Sequence, residues 1–115
     1  MYFIFSLVLL FSVLVFGQNY DKQWKKVYAF ELDGKTKSAS EEVDKIYKKA
    51  KKDKNDEQII KAFLYQSKFI LSLQEDGQSK VIQNMKNEIA TSLEPNKSVL
   101  NYIYAKSLRD YFSQN

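Results

Sequence analysis

The chain has 115 residues, with 18 Lys+Arg against 14 Asp+Glu for a formal net charge of +4, and it contains neither His nor Cys. That length allows one small domain. The missing residues exclude the usual zinc ligands, a thiol nucleophile, a disulfide and the side chain that titrates nearest neutral pH. A hard-cation site of Asp and Glu alone stays chemically open, but the calcium-loop spacing D-x-[DN]-x-[DN]-G is absent, so no metal and no cofactor is expected. Three Gly and one Pro are too few for the turns of a β-rich fold, and the expected class is all-α.

Residues 1–16, MYFIFSLVLLFSVLVF, carry no charged side chain. They read as the apolar region of a secretory signal peptide, with Val15 and Gly17 as the small residues before a cut that leaves Gln18 as the new N-terminus. No Lys or Arg precedes the run. The rival is an uncleaved anchor, yet a spanning helix needs about 20 apolar residues. An anchor would also hold Lys22, Lys25 and Lys26 on its cytoplasmic side. No Cys follows the run, which excludes a bacterial lipoprotein anchor. Export to the periplasm, cell envelope or medium is the expectation, with residues 18–115 as the mature helical domain.

A first helix is expected from Asn19 to Leu32, with Tyr20, Trp24, Val27, Tyr28 and Leu32 on one face and Asp33-Gly34 as its stop. Ser38 to Glu41 has the S-x-x-E capping-box spacing, so the second helix should start there and bury Ala39, Val43, Ile46, Tyr47 and Ala50. Glu41 with Lys45 and Asp44 with Lys48 are acid-before-base pairs four apart on its open face. Asp56 is the expected cap of the third helix. That helix has the widest apolar stripe: Ile59, Ile60, Phe63, Leu64, Ser67, Ile70 and Leu71, flanked by Phe69 and Leu73. A stripe so wide needs neighbours on two sides.

Glu75-Asp76-Gly77 should end the third helix as Gly34 ends the first. A fourth helix follows from Gln78 to Ser92 with Val81, Ile82, Met85, Ile89 and Leu93. After Pro95 a fifth opens at Asn96-Lys97-Ser98 and carries Val99, Leu100, Ile103, Tyr104, Leu108, Tyr111 and Phe112. Five helices thus form antiparallel pairs around Gly34 and Gly77, with the fifth as half of a third pair. The interval between those glycines suits a stacked helix-pair repeat. Trp24-x-x-Val27-Tyr28 followed by Ala39, Val43 and Ile46 resembles the tetratricopeptide pattern, with Tyr28 where a small residue is usual; the array is tetratricopeptide-like. Terminal repeats need a polar outer face, and the fifth helix lacks one. Tyr104, Leu108, Tyr111 and Phe112 are therefore a partner-facing apolar surface, for the remainder of a longer polypeptide, another protein, or a second copy in a homodimer.

Lys45, Lys48, Lys49, Lys51, Lys52 and Lys54 form the one cluster of charge. Acids interleave with them and no Arg is present, so a solvated helix face is preferred over a nucleic-acid footprint. The aromatic residues at helical spacing, Trp24, Tyr28, Tyr47, Phe63, Tyr65, Tyr104 and Tyr111, read as core, although Tyr on a concave repeat surface can contact peptide. Glu57, Glu75, Asp76 and Glu88 have no spacing that separates acid–base chemistry from caps and surface charge. No catalytic residue is expected, and the chain is read as a non-enzyme.

The leader ending in Gly17-Gln18, the run Tyr20 to Val27, Lys37-Ser38-Ala39, Ile46 to Lys52, Gln58 to Ala62 and Glu75-Asp76-Gly77 together resemble the N-terminal helical segment of bacterial alpha-2-macroglobulin family proteins. The resemblance implies an exported protease-trapping or protease-inhibiting protein of which this segment is the helical front piece. The family's trapping chemistry uses a Cys-Gln thioester, and this chain has no Cys, so the segment itself cannot trap a protease covalently. The alternative is a self-standing exported tetratricopeptide-like binding adaptor.

Overall fold

The computed structural model describes residues 20–114, with side chains through residue 113. The leader, the Gly17-Gln18 junction and the expected start of the first helix at Asn19 lie outside the described residues. Within them the chain is all-helical: α1 spans residues 20–32, followed by α2 (Thr36–Asp53), α3 (Asp56–Leu73), α4 (Gly77–Thr91) and α5 (Asn96–Gln114). No strand occurs among them. Links of two to four residues turn each helix back beside the one before it.

α3 is the central element. It packs on α2, α4 and α5, and it also touches α1, where the Trp24 and Tyr65 rings lie 4.9 Å apart. The wide stripe divides between two clusters, but Leu64, Leu71 and Leu73, expected within it or on its flank, are exposed. Ile59, Ala62 and Phe69 join Tyr20, Trp24, Val27, Ala39, Val43, Ile46 and Ala50 in one core cluster. Phe63 joins Val81, Met85 and Leu100 in a second, against which Ile60, Ile70, Ile89, Ile103 and Tyr104 pack. Phe69, expected on the flank, is among the largest fully buried side chains, because it joins the cluster that α1 supplies with Tyr20, Trp24 and Val27. The α2 stripe is buried as expected, with Tyr47 partly so and packed against both clusters.

Several boundaries differ from expectation for local physical reasons. α2 begins at Thr36, without side-chain capping, so Ser38 and Glu41 form no capping box. Gly34, at φ +72°, closes α1 through backbone bonds from Gly34 N to Glu31 O and from Lys35 N to Phe30 O. The chain then enters α2 at once: Ala39 N already bonds Lys35 O at 3.0 Å. α3 is capped by Asn55, whose side chain accepts from Gln58 N at 3.2 Å, one residue before the expected Asp56. α2 ends on Lys54 in the left-handed conformation, φ 54°, a position that no glycine marks.

Gly77 is not a second Gly34. α3 stops at Leu73 with Gln74 extended, and Gly77 is the first residue of α4. A Cβ there would sit 2.8 Å from Ile70 O and 3.0 Å from Leu71 Cα. The residue is glycine because two backbones meet, not because the chain turns left-handed. Leu32 and Leu93 are 88% and 84% exposed, since the first lies at the end of α1 and the second in the link after α4. The expected surface pairs also re-sort: Lys45 lies 3.6 Å from Glu42, and Asp44 accepts from the Gln66 side chain at 3.0 Å.

Candidate functional site

Three places gather chemistry, and two of them are filled. Along the α1–α3 seam Trp24, Tyr28, Tyr65 and Phe69 form a run of ring contacts with centroids 4.9–6.2 Å apart. Trp24 Nε1 donates to Gln58 Oε1 at 2.7 Å, satisfying the one polar atom of the indole. Lys61 Nζ sits 4.3 Å from the centre of the Trp24 ring and Lys68 Nζ 5.1 Å from that of Tyr65, while Lys68 also pairs with Glu31. Burial, with the neighbouring Tyr28 adding to it, raises the pKa of the Tyr65 phenol. The seam is a packed, cation-covered aromatic core.

The second place joins α2 to α4. Tyr47 OH donates to Glu88 Oε2 at 2.6 Å, and Lys51 Nζ lies 2.6 Å from Glu88 Oε1. Glu88 is buried, and both of its oxygens are engaged. Burial first, and the carboxylate second, push the Tyr47 phenol well above the usual tyrosine range. Of the four acids considered in the sequence, Glu57, Glu75 and Asp76 are exposed. Glu88 is the one that the fold takes inside, and it holds two helices together. Among the described residues no group of three or more acids could hold a metal ion.

The third place is open. Where the C-terminal end of α3 meets the start of α4 and the last turns of α5, two adjoining cavities of about 160 and 540 Å³ share Leu71, Gln78 and Tyr111. Val81 and Ile82 extend the apolar floor of the smaller one. Gly77 lets α4 start close against Ile70 and Leu71 of α3, and the Leu71 side chain stands at the rim, 50% exposed.

The four residues expected to face a partner divide among different surroundings. Tyr104 is half-buried against the second core cluster, and Leu108 is half-buried on α5. Tyr111 lines both cavities. Phe112 is 70% exposed and meets the Tyr111 ring edge-on at 5.5 Å. Sequence reading missed the α4 wall of this groove and the acids around it. A local signal was lacking, because Leu71, Val81 and Tyr111 come from three helices.

Three lysines of the cluster make ion pairs. Lys45 pairs with Glu42, Lys49 with Asp53 at 3.4 Å, and Lys51 with Glu88. Lys49 Nζ also lies 3.9 Å from the centre of the Tyr20 ring, whose OH donates to Asp53 at 2.7 Å. No helix among the described residues is long and apolar enough to cross a membrane.

No family model matches the chain, and no curated protein or solved structure matches it either. The resemblance to alpha-2-macroglobulin proteins therefore stands on its sequence words alone.

Proposed function

We propose that this chain is a non-catalytic helical interaction module, an exported tetratricopeptide-like array whose third, fourth and fifth helices receive a protein partner. The observation that carries the reading is the open groove of Leu71, Val81, Ile82 and Tyr111, in a molecule whose α1–α3 and α2–α4 contacts are closed by rings and ion pairs. The stacked arrangement draws support from α3, which touches α1 and α5 as well as its sequence neighbours, as successive helix pairs in an array require. Export rests on the leader, and its test is the mass of the mature N-terminus, which should begin at Gln18. In the alpha-2-macroglobulin reading the same groove would dock another part of the inhibitor.

The binding test is selection of a displayed random peptide library on the immobilised chain. Enriched peptides should lose binding to Leu71→Glu, a change at a half-exposed position that leaves helical circular dichroism intact. A library without binders, or binders indifferent to that change, would sink the proposal.

A further inference from the structure

Charge is unevenly distributed along the folded chain. Residues 20–55 hold eleven Lys against seven acids, whereas residues 56–114 hold seven basic and seven acidic side chains. The whole +4 thus lies in α1, α2 and their links, away from the groove in sequence. Around the groove the sign reverses. Glu75 and Asp76 line the larger cavity and Asp110 the smaller. Asp76 lies 3.7 Å from Lys80, while Glu75 and Asp110 have no cation within ion-pair distance among the described residues. Between these acids lies the apolar floor of Leu71, Val81, Ile82 and Tyr111.

An apolar slot edged by carboxylates in excess of cations selects for a complementary ligand: apolar anchors seat in the slot while cations meet the rim and steer the approach. We infer that the groove takes a cationic peptide segment with an apolar or aromatic anchor flanked by Lys or Arg. The inference rests on the interaction-module reading and names its partner's chemistry. A basic ligand is repelled by the chain's overall positive charge, but at physiological salt that repulsion is screened beyond about 8 Å. The rim acids act at contact distance. Binding of such a peptide therefore reports the groove and not general attraction.

The test is fluorescence anisotropy of the full chain with three labelled 12-residue peptides: one with Leu and Phe anchors between Lys residues, its twin with Glu for every Lys, and a third with Ser for every anchor. The first should bind, more weakly at high salt, and the other two should not. Glu75→Lys combined with Asp110→Lys should weaken the first peptide about tenfold, and Leu71→Glu should weaken any groove ligand. Tighter binding of the Glu twin, with binding still lost in Leu71→Glu, would overturn the cationic partner while leaving the module reading standing. Binding of none of the three overturns the inference, and the library selection then decides the module reading separately. Binding of the first peptide unchanged by the double charge reversal also overturns it, as does self-association seen by light scattering that Leu71→Glu abolishes.

Discussion

The two sides of α3 are built differently. Toward α1 and α2 it meets aromatic rings, covered by Lys61 and Lys68, and a cluster in which Val27, Ala39, Val43, Ile46, Ala50 and Ala62 are wholly buried. Toward α4 and α5 the second cluster has four buried residues, and the groove opens beside it. One helix can serve both because its stripe is wide enough to give each side its own residues. A filled seam and an unfilled one on the same helix separate what holds the chain together from what is left for a partner.

The filled side of α3 depends most on Trp24. Trp24→Ala removes a buried indole, its bond to Gln58 and two ring contacts, and should cost about 3–5 kcal/mol. Urea titration followed by circular dichroism should show the whole chain losing its midpoint. Leu100→Ala, in the other cluster, should cost about 2–5 kcal/mol. Hydrogen exchange should show that loss first in α5, with α1–α3 amides still protected. Equal loss of protection in α1–α3 would mean that the two sides are not separable.

The two glycines differ in what an added methyl group would meet. Gly77→Ala forces a methyl group against Ile70 O and Leu71 Cα and should cost about 1–3 kcal/mol. Gly34→Ala meets no atom within 4 Å and should cost about 1–2 kcal/mol, through left-handed backbone alone. Only the first should also change peptide binding, because Leu71 borders the groove.

Alkaline titration compares two other points. Tyr20 and Tyr47 are each raised above the ordinary value of 10.0, first by burial and then by an acceptor carboxylate. A neutral acid whose folded pKa exceeds its unfolded one contributes stability that is present below the unfolded value and lost as pH rises above it. The urea midpoint should hold to about pH 10 and fall beyond it, and Tyr47→Phe should flatten part of that fall. Asp53, held low by the Tyr20 hydroxyl, works in the opposite sense, and its contribution disappears as pH drops through the carboxylate range. The smallest effect belongs to the surface: Phe112→Ala should change stability by less than about 0.5 kcal/mol.

Much of this architecture was legible from periodicity. Ala39, Val43, Ile46, Tyr47 and Ala50 repeat at helical spacing, and they face inward because α1 and α3 both pack on that side of α2. The breadth of the α3 stripe likewise announced a helix with several neighbours. What periodicity could not show was direction. Phe69 lay at the stripe's edge in sequence and in the core in space, because the side on which α1 settles is a tertiary fact. Asp-Gly pairs look alike whether the glycine turns left-handed, as at Gly34, or admits a neighbouring backbone, as at Gly77. Lys54 takes a left-handed conformation with no local signature at all. The groove was illegible for a similar reason, since its floor and its acids come from three helices.

The buried carboxylate of Glu88 bears on how the chain assembles in time. Its two partners, on α2, come 41 and 37 residues earlier, so the network is complete only when α4 lies beside α2. Until α4 settles over α2 the carboxylate must keep its water, and a half-settled arrangement that strips the water without supplying both partners is penalised. Intermediate dockings are thereby thinned out. The α2–α4 contact thus favours the fully docked arrangement over partial ones.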